Sequence, residues 1–166
     1  MDRSLRVWTT EKETPVRLMA GHYADVDCCR FHPNSNYIAT GSADRCVRLW
    51  DMLDGKCVRT LTGHRASICT IAWSHSSGRY LATGDIGGHV LFWDMSKTTK
   101  SDETLIARFV IDELKTTVKI AIQHHQITAL TFSRCGNILT AGTVKESARR
   151  ILIISPKNMC IEFFNR

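Results

Sequence analysis

Gly21-His22 is followed 28 residues later by Trp50-Asp51, Gly63-His64 is followed 29 residues later by Trp93-Asp94, and the two histidines stand 42 residues apart. Marks that recur at about 40–45 residues show a chain written in repeats, and one unit of that length cannot bury both of its faces alone. Such a chain is held together by stacking of neighbours. In the first unit Val26-Asp27-Cys28-Cys29-Arg30-Phe31 alternates as a half-buried strand does, and His32-Pro33-Asn34-Ser35-Asn36 is a turn cluster. Tyr37 to Ser42 predicts a second strand, Ala43-Asp44-Arg45 a turn, Cys46 to Trp50 a third strand, and Cys57 to Leu61 a fourth. The second unit repeats this with Ser67 to Trp73, Tyr80 to Gly84 and Val90 to Trp93; Phe31 to Trp73 is 42 residues and Trp50 to Trp93 is 43.

The pattern is incomplete at both ends. Leu5-Arg6-Val7-Trp8 matches Val47-Arg48-Leu49-Trp50, and Val16-Arg17-Leu18 matches part of the fourth strand, so residues 1–20 form the last two strands of a unit. After residues 21–62 and 63–95, the excess over the period falls in 96–122, which is expected to be an enlarged connection; Leu105 to Leu114 there suits a strand or a short helix. Residues 123–166 are a degenerate unit. Ile127 to Ser133 and Asn137 to Gly142 are its first strands, Ile151 to Ile154 replaces the Trp-Asp strand, and Met159 to Phe164 would be the last.

These marks at this spacing resemble the WD40 family. The resemblance implies an all-β fold: an incomplete WD40 β-propeller of about three and a half four-stranded antiparallel blades. Propellers close with roughly four to eight blades. The shortfall leads to the expectation of a fragment or incomplete gene model of a longer subunit, ahead of a short product completed by association or a decayed copy.

In the family, a tryptophan, a Ser/Thr, a histidine and an aspartate form a hydrogen-bonded chain. The matching residues here are Trp50, Thr40 (with Ser42 as the other candidate), His22 and Asp44. Buried indole and imidazole groups need partners, so a structural tetrad outweighs the nucleophile triad that a hydroxyl, an imidazole and a carboxylate also resemble. The second unit keeps His64, Thr83 and Trp93, but Gly87 stands where Asp44 should be and Asp85 aligns with Ser42. That network is expected to lack its carboxylate unless Asp85 reaches in, and its blade to be the less rigid one. Loops near the first strands nominate Tyr23, Asp25, Arg45, Arg65 and Ser67 as partner contacts. Arg149 and Arg150 are a further basic pair.

The string from Gly21 to Asp51, above all Phe31-His32-Pro33-Asn34-Ser35-Asn36-Tyr37, is similar to the WD40 subunits of TFIID and SAGA-type complexes; turn sequences vary freely among unrelated repeats. This resemblance implies a nuclear, non-catalytic scaffold for other subunits, including histone-fold subunits. A substrate receptor of a cullin-type ubiquitin ligase is the alternative. Many such receptors carry Trp-Asp-x-Arg, whereas Trp50-Asp51 is followed by Met52-Leu53 and Trp93-Asp94 by Met95-Ser96.

No phosphate loop, Gly-x-Ser-x-Gly or His-Glu-x-x-His motif occurs, so no enzyme, cofactor or small-molecule substrate is expected. His124-His125 is a pair without further spaced ligands, so no metal is expected. The seven cysteines are odd in number and lack Cys-x-x-Cys, which suits a reduced compartment. No run of 18 apolar residues suggests a membrane span. Residues 96–166 hold 11 Lys and Arg against 6 Asp and Glu, but no aromatic residues interleave them, so direct nucleic-acid binding is not the preferred reading.

Overall fold

The computed structural model describes residues 2–75, 77–96, 105–110, 126–135, 138–145, 148–155 and 160–165. No helix occurs among them. β1 (Ser4–Val7) pairs with β2 (Arg17–Ala20) in a two-stranded sheet. Three four-stranded antiparallel sheets follow. The first is β3 (Val26–Phe31), β4 (Tyr37–Ser42), β5 (Val47–Asp51) and β6 (Cys57–Leu61). The second is β7 (Ile68–Trp73), β8 (Tyr80–Asp85), β9 (His89–Asp94) and β10 (Leu105–Val110). The third is β11 (Gln126–Phe132), β12 (Leu139–Lys145), β13 (Ala148–Ser155) and β14 (Cys160–Asn165). This is part of a β-propeller.

The segment left open between strand and helix is a strand where it is described. β10 pairs with β9 as the outer strand of the second blade, inside the expected connection 96–122. Residues 111–125, with His124-His125, lie outside the described residues.

Each blade buries one face against each neighbour, as the two-residue period of a strand allows. Ile38 and Trp50 of the first full blade meet Met19 of the half blade, with Leu5 and Val7 packed against them. On its other face Ala39, Val47, Leu49 and Leu61 meet Ile71, Trp73, Leu81, Leu91 and Trp93. The alternate residues of the second blade, Ala72, Ala82, Val90 and Phe92, meet Ile127, Leu130, Phe132, Leu139 and Ala141 of the third. Gly41 and Gly84 let second strands approach the next blade: a Cβ on Gly41 would lie 2.5 Å from Ile68, and one on Gly84 2.8 Å from Ile127. Cys28 and Cys69 also bridge blades, their thiols directed at the carbonyls of Ile68 (3.7 Å) and Ile127 (2.7 Å). Burial pushes these thiols up to about 12 and about 11, so both stay protonated donors.

Every first strand carries a bulge near its start, between Val26 and Cys28, Ile68 and Thr70, and Ile127 and Ala129. A bulge resets the alternation and increases twist. β3 is also more exposed than its alternation suggests. Phe31 is 54% exposed whereas the equivalent Trp73 is 7%, because β1 and β2 cover only the outer part of that blade face.

Candidate functional site

Two hydrogen-bonded chains run from blade core to blade rim. In the first, the Trp50 indole donates to Thr40 Oγ1 at 2.8 Å, Thr40 lies 2.7 Å from His22 Nε2, and His22 Nδ1 lies 2.8 Å from Asp44 Oδ2. The other carboxylate oxygen accepts the Cys46 N–H at 2.9 Å, and Oδ2 also takes the Tyr23 N–H at 3.0 Å. Asp44 thus ties the loop holding His22 to its own turn. Ser42, the other hydroxyl candidate, instead donates to the Ala24 carbonyl and accepts from the Asp44 N–H. Gly21 precedes His22 because the backbone there has φ +154 and a Cβ would meet Arg48 at 2.9 Å and Trp50 at 3.3 Å.

The electrostatics are self-consistent. Burial pushes His22 down, against the Asp44 hydrogen bond and charge that push it up, so the imidazole is neutral. Its Nδ1–H donates to Asp44, and its Nε2 accepts the Thr40 hydroxyl proton. Burial pushes the Asp44 carboxyl up, but bonds from His22, Tyr23 and Cys46 outweigh it and hold it below the usual value.

In the second blade the alternative left open by the sequence holds, and Asp85 reaches in. Its network does not lack a carboxylate. Trp93 donates to Thr83 at 2.9 Å, Thr83 lies 2.7 Å from His64 Nε2, and His64 Nδ1 lies 2.9 Å from Asp85 Oδ2. Asp85 Oδ1 takes the N–H groups of Gly87 (3.0 Å) and His89 (2.9 Å) and lies 3.0 Å from His89 Nδ1. Asp85 is fully buried, and its bonds from His64 and His89 override burial and hold the carboxyl far below its ordinary range. A carboxylate at the end of β8, two positions before Gly87, does for this blade what Asp44 does from the turn. Asp85, the alternative that the sequence left open, closes this network, and His89 is a member that sequence reasoning missed. The available signal was an aspartate two residues beyond Thr83, at the mouth of a Gly-Gly turn.

The remaining candidates lie on the rim above these networks. Tyr23 is 79% exposed, with the Arg48 guanidinium 5.5 Å from its ring centre. The Asp25 carbonyl accepts the Ala43 N–H and so seats the turn bearing Arg45, which takes φ +67. Arg65 is exposed at the position equivalent to Tyr23. Ser67 donates to Asp27 at 2.8 Å, linking the rims of two blades, and its carbonyl accepts the N–H of the exposed Ile86. Sequence reasoning missed Arg48 and Ile86. Arg149 and Arg150 lie on β13, in register with Val144 and Thr143, away from this rim cluster in sequence.

Strand order and the two tryptophan-to-aspartate networks together define the class: the chain carries WD40 repeats, of the family described as WD domain, G-beta repeat, at residues 13–51 and 55–94. It is 36% identical to transcription initiation factor TFIID subunit 5 of Caenorhabditis elegans, over 82% of this chain and 19% of that protein. It is 28% identical to periodic tryptophan protein 2 of Arabidopsis thaliana, over 84% of this chain and 14% of that protein. It is 29% identical to a guanine nucleotide-binding protein subunit beta-like protein of Encephalitozoon cuniculi, over 96% of this chain and 49% of that protein. The chain thus spans less than half the length of each of these relatives.

Proposed function

We propose that this chain is a non-catalytic scaffold that holds subunits of a nuclear transcription-initiation complex of the TFIID kind. The observation that carries the reading is the 36% identity to a TFIID subunit over 82% of this chain. The networks favour a scaffold over an enzyme. Thr40 and His22 are buried, the hydroxyl is shared between an indole and an imidazole, and both imidazole nitrogens are engaged. Such groups fix loop geometry and have no position from which to attack a substrate. The rim offers Tyr23, Arg45, Arg65 and Ile86 on turns held by those networks. Aromatic and arginine side chains on a rigid frame make effective contact points for protein partners, and the arginines suit acidic partner surfaces, histone-fold subunits among those expected.

The tagged chain, recovered from nuclear extract, is expected to bring down subunits of a TFIID-like or SAGA-like complex. Arg45→Glu combined with Arg65→Glu is expected to lose them without a change in melting temperature. Recovery of cullin-ligase adaptors alone would count against this reading.

A further inference from the structure

Arg48 carries a charge that no residue near it neutralises. It lies on β5, in register with Thr40 and Thr60, and its guanidinium rests against Gly21, where a Cβ would come within 2.9 Å of Nη1. Its Nε–H is buried and meets no acceptor, while its terminal nitrogens stay accessible. Among the described residues no carboxylate pairs with it. What it does meet is the ring of Tyr23, 5.5 Å from Cζ and itself 79% exposed. The face of a ring takes none of the in-plane donors of a guanidinium.

Arg45 stands three residues earlier, exposed on the β4–β5 turn at φ +67. Its counterpart in the second blade is Gly88 at φ +86, and both donate their N–H to the residue three positions back. That region of backbone favours glycine, so the first blade keeps an arginine where the turn itself suits a glycine. Arg45 also lacks a carboxylate partner among the described residues. Asp44, in the same turn, is taken up by His22 and by the N–H groups of Tyr23 and Cys46. The two arginine charges act on one place. Burial and Asp44 push the Cys46 thiol up, while Arg48 and Arg45 both push it down.

We propose that Arg48 and Arg45, flanked by the Tyr23 ring, form a binding site for a carboxylate side chain on an acidic segment of a protein partner. The proposal rests on the scaffold reading above, from which it takes a protein as the occupant. The planar fork of Arg48 matches a carboxylate, and charge-assisted bonds of this kind are the strong ones. Arg45 adds the second positive charge from the solvent side. Tyr23 is fixed through its N–H by Asp44, so its ring lies beside the fork and covers the methylenes of a bound glutamate.

The probe is a hexaglutamate peptide, titrated into the full 15N-labelled chain at low salt while the arginine Nε–H resonances are followed by NMR. A saturable shift of the Arg48 resonance is expected, and none with hexaglutamine. Arg48→Gln is expected to bind roughly 10-fold more weakly, and Arg45→Gln roughly 3- to 10-fold. Arg30→Gln removes the same charge at the far end of β3 and is expected to bind within about 2-fold of the unmodified chain. Tyr23→Ala keeps the backbone bond to Asp44 and serves where Arg48→Gln does not fold; it is expected to weaken binding roughly 2- to 5-fold. Equal weakening by Arg30→Gln and Arg48→Gln overturns the proposal. So does tighter binding of a triphosphoserine peptide of about the same charge. Arg48-dependent binding in a chain that recovers no TFIID-like subunits supports the site and counts against the TFIID reading alone. Recovery of those subunits by Arg48→Gln and Tyr23→Ala chains at the unmodified level overturns the site and leaves that reading standing.

Discussion

The first two full blades solve one problem with different residues. In the first, Asp44 sits in the β4–β5 turn with its side chain 6% exposed; in the second, Asp85 ends β8 and its side chain is wholly buried. Both carboxylates reach the Nδ1 of a histidine at nearly the same distance, 2.8 Å and 2.9 Å. The comparison teaches that the network needs a carboxylate at a point in space, not at a fixed place in the turn. Asp85 binds two imidazoles and two backbone N–H groups, so the blade that looked deficient has the more heavily used acceptor.

The comparison can be broken most sharply at Asp85. Asp85→Ala leaves His64, His89 and two N–H groups short of an acceptor, and is expected to cost about 3–5 kcal/mol in urea unfolding. Asp44→Ala removes an acceptor that serves one imidazole and two N–H groups, and is expected to cost about 1–3 kcal/mol. A loss at Asp44 equal to or above that at Asp85 would show that the number of groups served does not rank the two. A transplant sharpens the same point. Asp85→Ser with Gly87→Asp copies the Ser42 and Asp44 arrangement into the second blade. A Cβ at Gly87 would meet only side-chain atoms of His89 and Asp85, at 3.2–3.3 Å. The double variant is expected to be about 1 kcal/mol more stable than Asp85→Ser alone. No recovery would mean that this turn cannot present a carboxylate to His64.

Acid gives the finest distinction. His22 is pushed below its ordinary 6.5 by burial, so its stabilising contribution is complete above about pH 6.5 and is lost as pH falls through the lower folded value. Asp44 and Asp85 are both depressed below 3.8, so their contributions are complete above that pH and are also lost on further acidification. All three changes destabilise in the acid direction. Because Asp85 is held far below its ordinary value, the Trp50 indole N–H resonance is expected to shift at higher pH than that of Trp93. The opposite order would contradict the ranking of the two sites.

Much of the frame was legible in the residues. The strands from Val26 to Asp94 fall within a residue or two of their expected bounds, because each is a short apolar run between turn residues and local pattern suffices. Thr40 and Trp50 stand ten residues apart, as do Thr83 and Trp93, and that spacing alone places hydroxyl and indole on paired strands. Asp85 was legible only as an alternative, because position-by-position alignment assumes one turn geometry. The Gly87-Gly88 turn lets a carboxylate from the strand end serve instead, with Gly88 at φ +86. The exposure of Phe31 was hidden for a related reason. Its apolar character is local, but its cover depends on strands of the unit before it.

The period of the marks, read alone, determined the repeat, its strands and the family, because these follow from which residues recur and how far apart. Only the tertiary structure decided which carboxylate closes each network, that β10 belongs to the second blade, and that the Arg48 guanidinium lies over the Tyr23 ring. Those outcomes depend on groups from different strands and blades meeting in space, often about 20 or 40 residues apart in the chain, and no local pattern carries that information.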